Sequence, residues 1–267
     1  MVYLAPPGEA DCITAYLATD FTDNELRELK IAFEFGACSR FDPLFELKIV
    51  RAPEDYLGKS HQYIRAREND AGREDAFALI DDEAKERGGI WYIDQFAGED
   101  QVENETAERT DVVFKILIQP VPFALAAVNY RIANMSVEED LQACGVEFPL
   151  KNNFHQPEVL DDRGMDFDDQ QRSYSVEVTA EPGEFEESTD DEDRDGFLPR
   201  PDKVVKLKEE VARSIGVISS WTWPNKPEPA EKDDGTKIEF PPGSVKLQQN
   251  YDPEFPWPEY KWPEGSL

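Results

Sequence analysis

Positive charge is scarce in this sequence. Only 28 lysine and arginine residues stand against 58 aspartate and glutamate residues, which gives a formal net charge of −30. Binding to nucleic acid or to an anionic membrane surface needs a basic face, so we expect neither as a partner. An acidic balance of this size is compatible with cation binding or with a protein partner that has a basic surface.

Cysteines and long apolar runs are also few. The three cysteines, Cys12, Cys38 and Cys144, show no C-x-x-C spacing. This argues against a disulfide framework or a structural zinc site and favours free thiols in a reducing compartment. The first residues lack the basic and apolar regions of a signal peptide, and no apolar run reaches transmembrane length. We therefore expect an intracellular, cytoplasmic protein.

Recognisable catalytic motifs are lacking as well. The two histidines, His61 and His155, have no cysteine or serine partner at a meaningful spacing. The sequence contains no nucleophile elbow, no P-loop and no dinucleotide-binding fingerprint. We interpret both histidines as ordinary surface or loop residues, and an interaction protein is favoured over an enzyme.

The first half of the chain alternates strand and helix patterns. Thr22 and Glu25 form a capping box that opens a helix, and Gly36 ends it. Residues 1–150 therefore predict an α/β or α+β domain with a mixed sheet of about five strands and flanking helices. The apolar or alternating runs that predict strands are 12–18, 45–50, 76–80, 90–93 and 112–118.

The second half, residues 151–267, predicts a largely irregular acidic extension. Sixteen acidic residues lie between His155 and Phe197, opposed by three arginines, and so charged a segment has little apolar area to bury. Within it, 173–179 could add an edge strand and 203–213 reads as an amphipathic helix. The proline-rich end carries Trp257 and Trp262, which favours packing on the domain or on a partner over a disordered arm.

Four motifs in the first half resemble a known family. The segment Asn129–Glu139, which ends in a Ser136-x-x-Glu139 capping box, is similar to the closing motif of a bacterial and fungal family catalogued as a domain of unknown function. Three further segments occur in the family's order, and they are Thr19–Asp23, Phe77–Asp81 and Ile90–Asp94. The resemblance ends near Gly145. It implies a shared α/β fold and supplies no reaction, ligand or catalytic residue.

Three predicted strands end in a carboxylate, namely Asp20, Asp81 and Asp94. If these strands are parallel neighbours, their carboxyl ends meet at one edge of the sheet. Clustered carboxylates there could bind Mg²⁺ and support phosphoryl chemistry. The alternative is that aspartates at strand exits start turns and cap helices.

An acidic run in the second half resembles half of a calcium loop. Asp191, Asp193 and Asp195 occupy positions one, three and five, Gly196 supplies the turn, and Asp202 falls at position twelve. The alternative, which the surrounding composition favours, is a solvated acidic linker.

Asn129 and Asn134 are the remaining candidates. Amide side chains of this kind fix turns by bonding to backbone groups, which is the favoured interpretation, and a ligand-binding role is the alternative. Taken together, the sequence favours a module that binds a basic protein surface. A divalent-cation-dependent enzyme using Asp20, Asp81 and Asp94 and a calcium-stabilised binding module are the alternatives.

Overall fold

The computed structural model describes residues 2–231 and 237–267, so residues 232–236 of the predicted extension lie outside the described residues. The chain divides into two compact units. The first, here called the α/β unit, consists of Glu9–Met165 and Glu259–Leu267. The second, here called the β-rich unit, consists of Met1–Gly8 and Asp166–Pro258. The sequence analysis placed its single boundary at residue 150.

Helices and strands alternate through most of the α/β unit. The helices of the described ranges are α1 (Asp23–Gly36), α2 (His61–Asp70), α3 (Asp82–Arg87), α4 (Glu99–Glu103), α5 (Pro120–Arg131), α6 (Val137–Ala143), α7 (Phe167–Ser173) and α8 (Glu209–Ile215), with a 3₁₀ turn at Glu54–Tyr56. The strands are β1 (Tyr3–Leu4), β2 (Cys12–Leu17), β3 (Glu46–Arg51), β4 (Phe77–Ile80), β5 (Ile90–Phe96), β6 (Val113–Ile118), β7 (Ser175–Ala180), β8 (Phe185–Ser188), β9 (Val204–Leu207), β10 (Val217–Ile218), β11 (Ala230–Glu231), β12 (Lys237–Ile238) and β13 (Val245–Tyr251).

The α/β unit is built on a five-stranded mixed sheet with the strand order β3-β2-β4-β5-β6. β2 pairs in parallel with both β3 and β4, whereas the β4–β5 and β5–β6 pairs are antiparallel. Each of the five predicted strand segments overlaps one of these strands. The predicted fold class, a mixed sheet of α and β elements with flanking helices, is therefore confirmed.

Helices cover both faces of this sheet. Consecutive residues of a strand point to opposite faces, and Trp91 and Tyr92 of β5 show where each face leads. The ring of Trp91 contacts His61 of α2, whereas the ring of Tyr92 contacts Phe123 of α5. Phe123 in turn contacts Phe33 of α1. The core therefore has α2 on one face and the α1–α5 pair on the other.

The face under α2 contains buried charged groups that are hydrogen-bonded, except at Nε of Arg65, which has no partner within the described residues. Glu68 is 2% exposed and accepts hydrogen bonds from the hydroxyls of Tyr16 and Tyr56 and from the guanidinium of Arg73. Arg65 is fully buried, and its two terminal nitrogens donate to main-chain oxygens. Buried charges are tolerated when they are hydrogen-bonded in this way, so α2 can bring polar side chains into the core.

The last residues of the chain belong to the α/β unit. The indole nitrogen of Trp262 donates to the Glu34 carboxylate at 2.7 Å, and the Lys30 ammonium lies 4.5 Å from the centre of the Trp262 ring. The main-chain amide of Leu267 donates to the carbonyl oxygen of Ile49 at 2.8 Å. These contacts hold the segment Glu259–Leu267 against α1 and β3.

The expectation of a largely irregular extension is not confirmed. Residues 166–258 contain most of a four-stranded antiparallel sheet with the order β1-β7-β13-β10, as well as the β8–β9 hairpin. The predicted edge strand at 173–179 corresponds to β7, which lies inside the sheet. The predicted helix at 203–213 is wrong, because its first part forms β9 and only its second part forms α8.

Local helix signals were predicted correctly. Thr22 caps α1 and Ser136 caps α6, and both reciprocal bonds of each capping box are present with Glu25 and Glu139. The acidic stretch 99–111 contains the short helix α4. In the ranges 2–231 and 237–267, no helix combines the length and the apolar character needed to cross a bilayer.

Gly36 is expected to be essential for the packing of α1 on α5. A β-carbon at this position would lie 1.7 Å from the main-chain oxygen of Val121, a clash that only backbone movement could relieve. We predict that Gly36→Ala lowers the free energy of unfolding by about 3 kcal/mol or more, measured by denaturant titration. Gly8→Ala, where nothing lies within 4 Å of the new β-carbon, is the control, and an equal small loss in both variants would contradict the prediction.

Candidate functional site

The three strand-end aspartates do not form one cluster. Asp20 and Asp81 follow the parallel strands β2 and β4, whose ends are in register at Leu17 and Ile80. Asp94 lies in β5, which runs antiparallel to β4, so the carboxyl end of β5 is at the opposite edge of the sheet. The predicted convergence of Asp20, Asp81 and Asp94 is therefore wrong, and with it the magnesium site that needed all three.

At the first edge, Asp20 takes part through its backbone. Its carbonyl oxygen accepts a hydrogen bond from the ammonium of Lys85 at 2.7 Å, and the same ammonium pairs with Glu25 at 3.0 Å. The hydroxyl of Thr19 donates to the carboxylate of Asp82. This edge is thus held by one lysine shared between a carbonyl and a carboxylate.

Asp81 caps a helix, as the alternative interpretation expected. One carboxylate oxygen accepts from the main-chain amide of Ala84 at 2.9 Å, and the other lies 2.9 Å from Nε2 of His61. His61 is 7% exposed, so the expectation of a surface or loop role is wrong. The pair ties the first residue of α2 to the start of α3.

Burial and hydrogen bonding determine the protonation states of His61 and Asp81. Burial lowers the pKa of His61, against the opposing effect of the hydrogen bond that His61 donates to Asp81. Burial would raise the pKa of Asp81, but the hydrogen bonds from His61 and from Ala84 hold it below its usual range. An ionised carboxylate only accepts, so Nε2 of the neutral imidazole donates the hydrogen.

The surroundings of His61 argue against catalysis by this pair. Its Nδ1 is sealed from solvent and has no hydrogen-bond partner in the described part of the chain. The neighbouring Lys115 is 9% exposed, and its ammonium lies 4.5 Å from the centre of the Trp91 ring and 5.4 Å from that of Phe154. Burial lowers the pKa of Lys115. A general base must reach its substrate, and a sealed Nδ1 does not.

At the second edge, Asp94 lines a cavity of about 310 Å³. A register shift in the β5–β6 pairing lies between Ile93 and Phe96, and such irregularities redirect side chains. The cavity is also bounded by Tyr92, by Asp75 and by the end of α5. The sequence pattern indicated Asp94 as a site residue, but its predicted partners, Asp20 and Asp81, lie at the other edge of the sheet. No sequence pattern pointed to Tyr92.

The predicted calcium loop is organised by arginines. The guanidinium of Arg194 donates to the carbonyl oxygens of Pro201 and Asp202 at 3.1 and 3.2 Å and to the carboxylate of Asp191 at 2.7 Å. Arg200 donates to the main-chain oxygen of Asp191 at 2.8 Å. Since Asp191 is engaged by two arginines and a strand, β9, follows the loop, the arrangement of Asp191, Asp193, Asp195 and Asp202 differs from a helix–loop–helix calcium site.

The same turn presents free carboxylates. The side chains of Asp190, Glu192, Asp193 and Asp195 form no hydrogen bond or ion pair within the described residues, and all but the half-buried Asp193 are exposed. The turn is closed by Gly196 at φ +88° and by the contact of the Phe197 and Trp223 rings. We call residues 190–195 the acidic turn.

The amide pair has a local role. The side-chain nitrogen of Asn134 donates to the side-chain oxygen of Asn129 at 3.0 Å, and the Asn134 amide donates to the Asn129 carbonyl at 3.0 Å. These bonds close the turn between α5 and α6. The two side chains bond to each other, whereas the favoured interpretation expected them to bond to backbone groups.

This geometry places the protein in the α+β class. It has one unit with a five-stranded mixed sheet and a second unit with an antiparallel sheet. Across residues 2–231 and 237–267, no three histidine, cysteine, aspartate or glutamate side chains form a group that could hold a metal ion. Comparisons with family models, with curated proteins and with solved structures found no match. The resemblance to the uncharacterised family therefore stays a prediction.

The His61–Asp81 pair should make stability depend on pH. Because the pKa of His61 is lowered by burial, protonation favours the unfolded chain, so stability is full above the unfolded pKa of about 6.5 and declines as the pH falls below it. We predict that the free energy of unfolding decreases between about pH 7.5 and about pH 5.5 and that His61→Gln makes this decrease smaller.

His155→Gln is the matched control, since it removes the other histidine and should leave the slope of wild type. Denaturant titrations across the pH range measure all three proteins. If His61→Gln kept the full wild-type slope, the buried imidazole would not be the group responsible.

Proposed function

We propose that this protein is a cytoplasmic interaction module that binds a protein partner through a basic surface on that partner. The observation that carries the proposal is the acidic turn, in which the carboxylates of Asp190, Glu192, Asp193 and Asp195 follow one another closely in the chain and form no side-chain hydrogen bond or ion pair within the described residues. Like charges held together in this way attract a complementary positive surface and speed its association. Membership of the uncharacterised family is part of the same proposal and rests on the four motifs.

The acidic turn suits this role because its backbone is restrained, while four of its carboxylates form no hydrogen bond or ion pair within the described residues. Arg194 and Arg200 hold Asp191 and the 201–202 carbonyls, so the neighbouring acids are displayed on an ordered loop. A restrained loop loses less conformational entropy on binding than a mobile one. The adjacent hairpin is braced by the Lys203–Glu187 pair at 2.6 Å.

The test is binding to a defined basic probe. We expect a fluorescent lysine- and arginine-rich peptide to bind the full chain at low salt, measured by anisotropy, and affinity to fall as salt rises because exposed charges are screened. The combined variant Asp190→Asn, Glu192→Gln, Asp193→Asn and Asp195→Asn should weaken binding by about tenfold or more.

The matched control removes the same number of charges elsewhere. The four changes are Asp70→Asn, Glu99→Gln, Glu103→Gln and Glu108→Gln. The replaced residues lie in the α/β unit, are exposed, and form no ion pair within the described part of the chain. We expect this control to retain most of the affinity. Equal losses in both combined variants would mean that total charge alone attracts the peptide, and the proposed role of the acidic turn would be abandoned.

A further inference from the structure

The cavity at Asp94 has features of a preformed binding site, and it is distinct from the predicted magnesium site and from the acidic turn. We call it the Asp94 pocket. Its volume of about 310 Å³ falls at the lower end of the range of small-molecule sites. The residues that line it include Asp94, Asp75, Tyr92, Tyr130 and Arg131.

Tyr92, which lines the pocket, has a hydroxyl with no hydrogen-bond partner among the described residues. The residue is 2% exposed, and its hydroxyl forms no hydrogen bond within the described residues. The hydroxyl oxygen nevertheless keeps some solvent contact, and Tyr92 lines the pocket. A buried tyrosine normally satisfies its hydroxyl, and here the residue with the open hydrogen-bonding position borders a cavity.

Asp94 also lacks a paired cation. It forms no ion pair within the described residues, and the guanidinium of Arg65, whose charge acts on it, donates instead to the carbonyl oxygens of Arg73 and Asp75. Burial raises the pKa of Asp94, and the negative charge of Glu138 adds to this effect, against a hydrogen bond from the main-chain amide of Gln95 and the attraction of Arg65. A carboxylate that is desolvated without a paired cation would gain from a ligand that brings one.

The walls of the pocket are held in place. The hydroxyl of Tyr130 donates to the carboxylate of Asp140, which is 3% exposed and also pairs with Arg163. The rings of Tyr130 and Tyr92 lie with their centres 5.2 Å apart. The site is therefore formed before any ligand arrives, which reduces the ordering cost of binding.

The chemistry of the lining selects the kind of ligand. An anion is disfavoured by two carboxylates against one guanidinium, and Arg131 is already directed towards Asp11 at 3.6 Å and lies over the Phe45 ring. A bare metal ion would want several oxygen ligands, and the described residues hold no such cluster. A group with N–H donors and positive charge fits one carboxylate, one hydroxyl and two aromatic rings.

We propose that the Asp94 pocket binds a small organic cation with N–H donors, a primary ammonium or an amidinium. The carboxylate of Asp94 pairs with its charge and the hydroxyl of Tyr92 accepts a further N–H. The flank of Tyr130 covers the ligand's apolar part. This site is separate from the acidic turn and does not depend on the function proposed for that turn.

The test uses n-butylammonium chloride as the probe, with sodium chloride added to keep ionic strength constant. Titration of the full chain is followed by NMR of the side-chain carboxyl carbons. We expect a saturable shift at Asp94, and a pKa of that carboxyl that falls when the probe is present, because the bound charge favours the ionised form. This measurement needs no variant.

Two variants and one control locate the contact. Asp94→Asn should weaken binding by about tenfold or more, and Tyr92→Phe by about threefold to tenfold. Tyr92→Phe should leave the melting temperature of the free protein unchanged, because the hydroxyl has no partner to lose. Asp70→Asn, which removes one exposed charge of the α/β unit, should bind as wild type does.

Three results would overturn the proposal. One is the absence of any saturable Asp94 shift with the probe. Another is equal loss of affinity in Asp94→Asn and Asp70→Asn, which would indicate attraction to overall charge. The third is binding of tetramethylammonium, which has no N–H, as tight as that of n-butylammonium.

Discussion

The antiparallel pairing of β5 with β4 is the constraint on which the placement of the charged groups depends. β2, β3 and β4 run in one direction, and the reversal at β5 sends its carboxyl end to the other edge of the sheet. One edge therefore contains Asp20 and Asp81 with their lysine and histidine partners, and the other contains Asp94. The reversal needs only the short connection through α3, which could not have spanned a parallel crossover.

The few cations of this acidic chain are used at points where several acceptors meet. Lys85 binds a carbonyl and a carboxylate, and Arg194 binds carbonyl oxygens and Asp191. Arg73 satisfies buried Glu68 with two hydrogen bonds. Such multiple contacts restrain loops in which the negative charges of neighbouring carboxylates repel one another. Most of the remaining carboxylates are exposed. The asymmetry of charge is thus a surface property, compatible with an ordered core.

What could be foreseen was local in sequence. The capping boxes at Thr22 and Ser136 depend on side chains three residues apart, and they formed as expected. The five strands of the α/β unit were visible as apolar or alternating runs. The β-rich unit was missed because some of its strands are short and carry exposed acids, such as Glu186 and Glu187 in β8, and because antiparallel partners such as β7 and β13 are far apart in the chain. Composition alone made that region look irregular.

The sequence by itself determined the helix caps, the strand segments and the excess of negative charge, because each of these is a property of neighbouring residues or of the total. Only the tertiary structure decided which titratable groups meet. It brought His61 to Asp81, separated Asp94 from both, and placed Asp94 beside Tyr92 and Tyr130. Strand direction and helix packing set those distances, and they arise from pairings between residues widely separated along the chain, which no local pattern encodes.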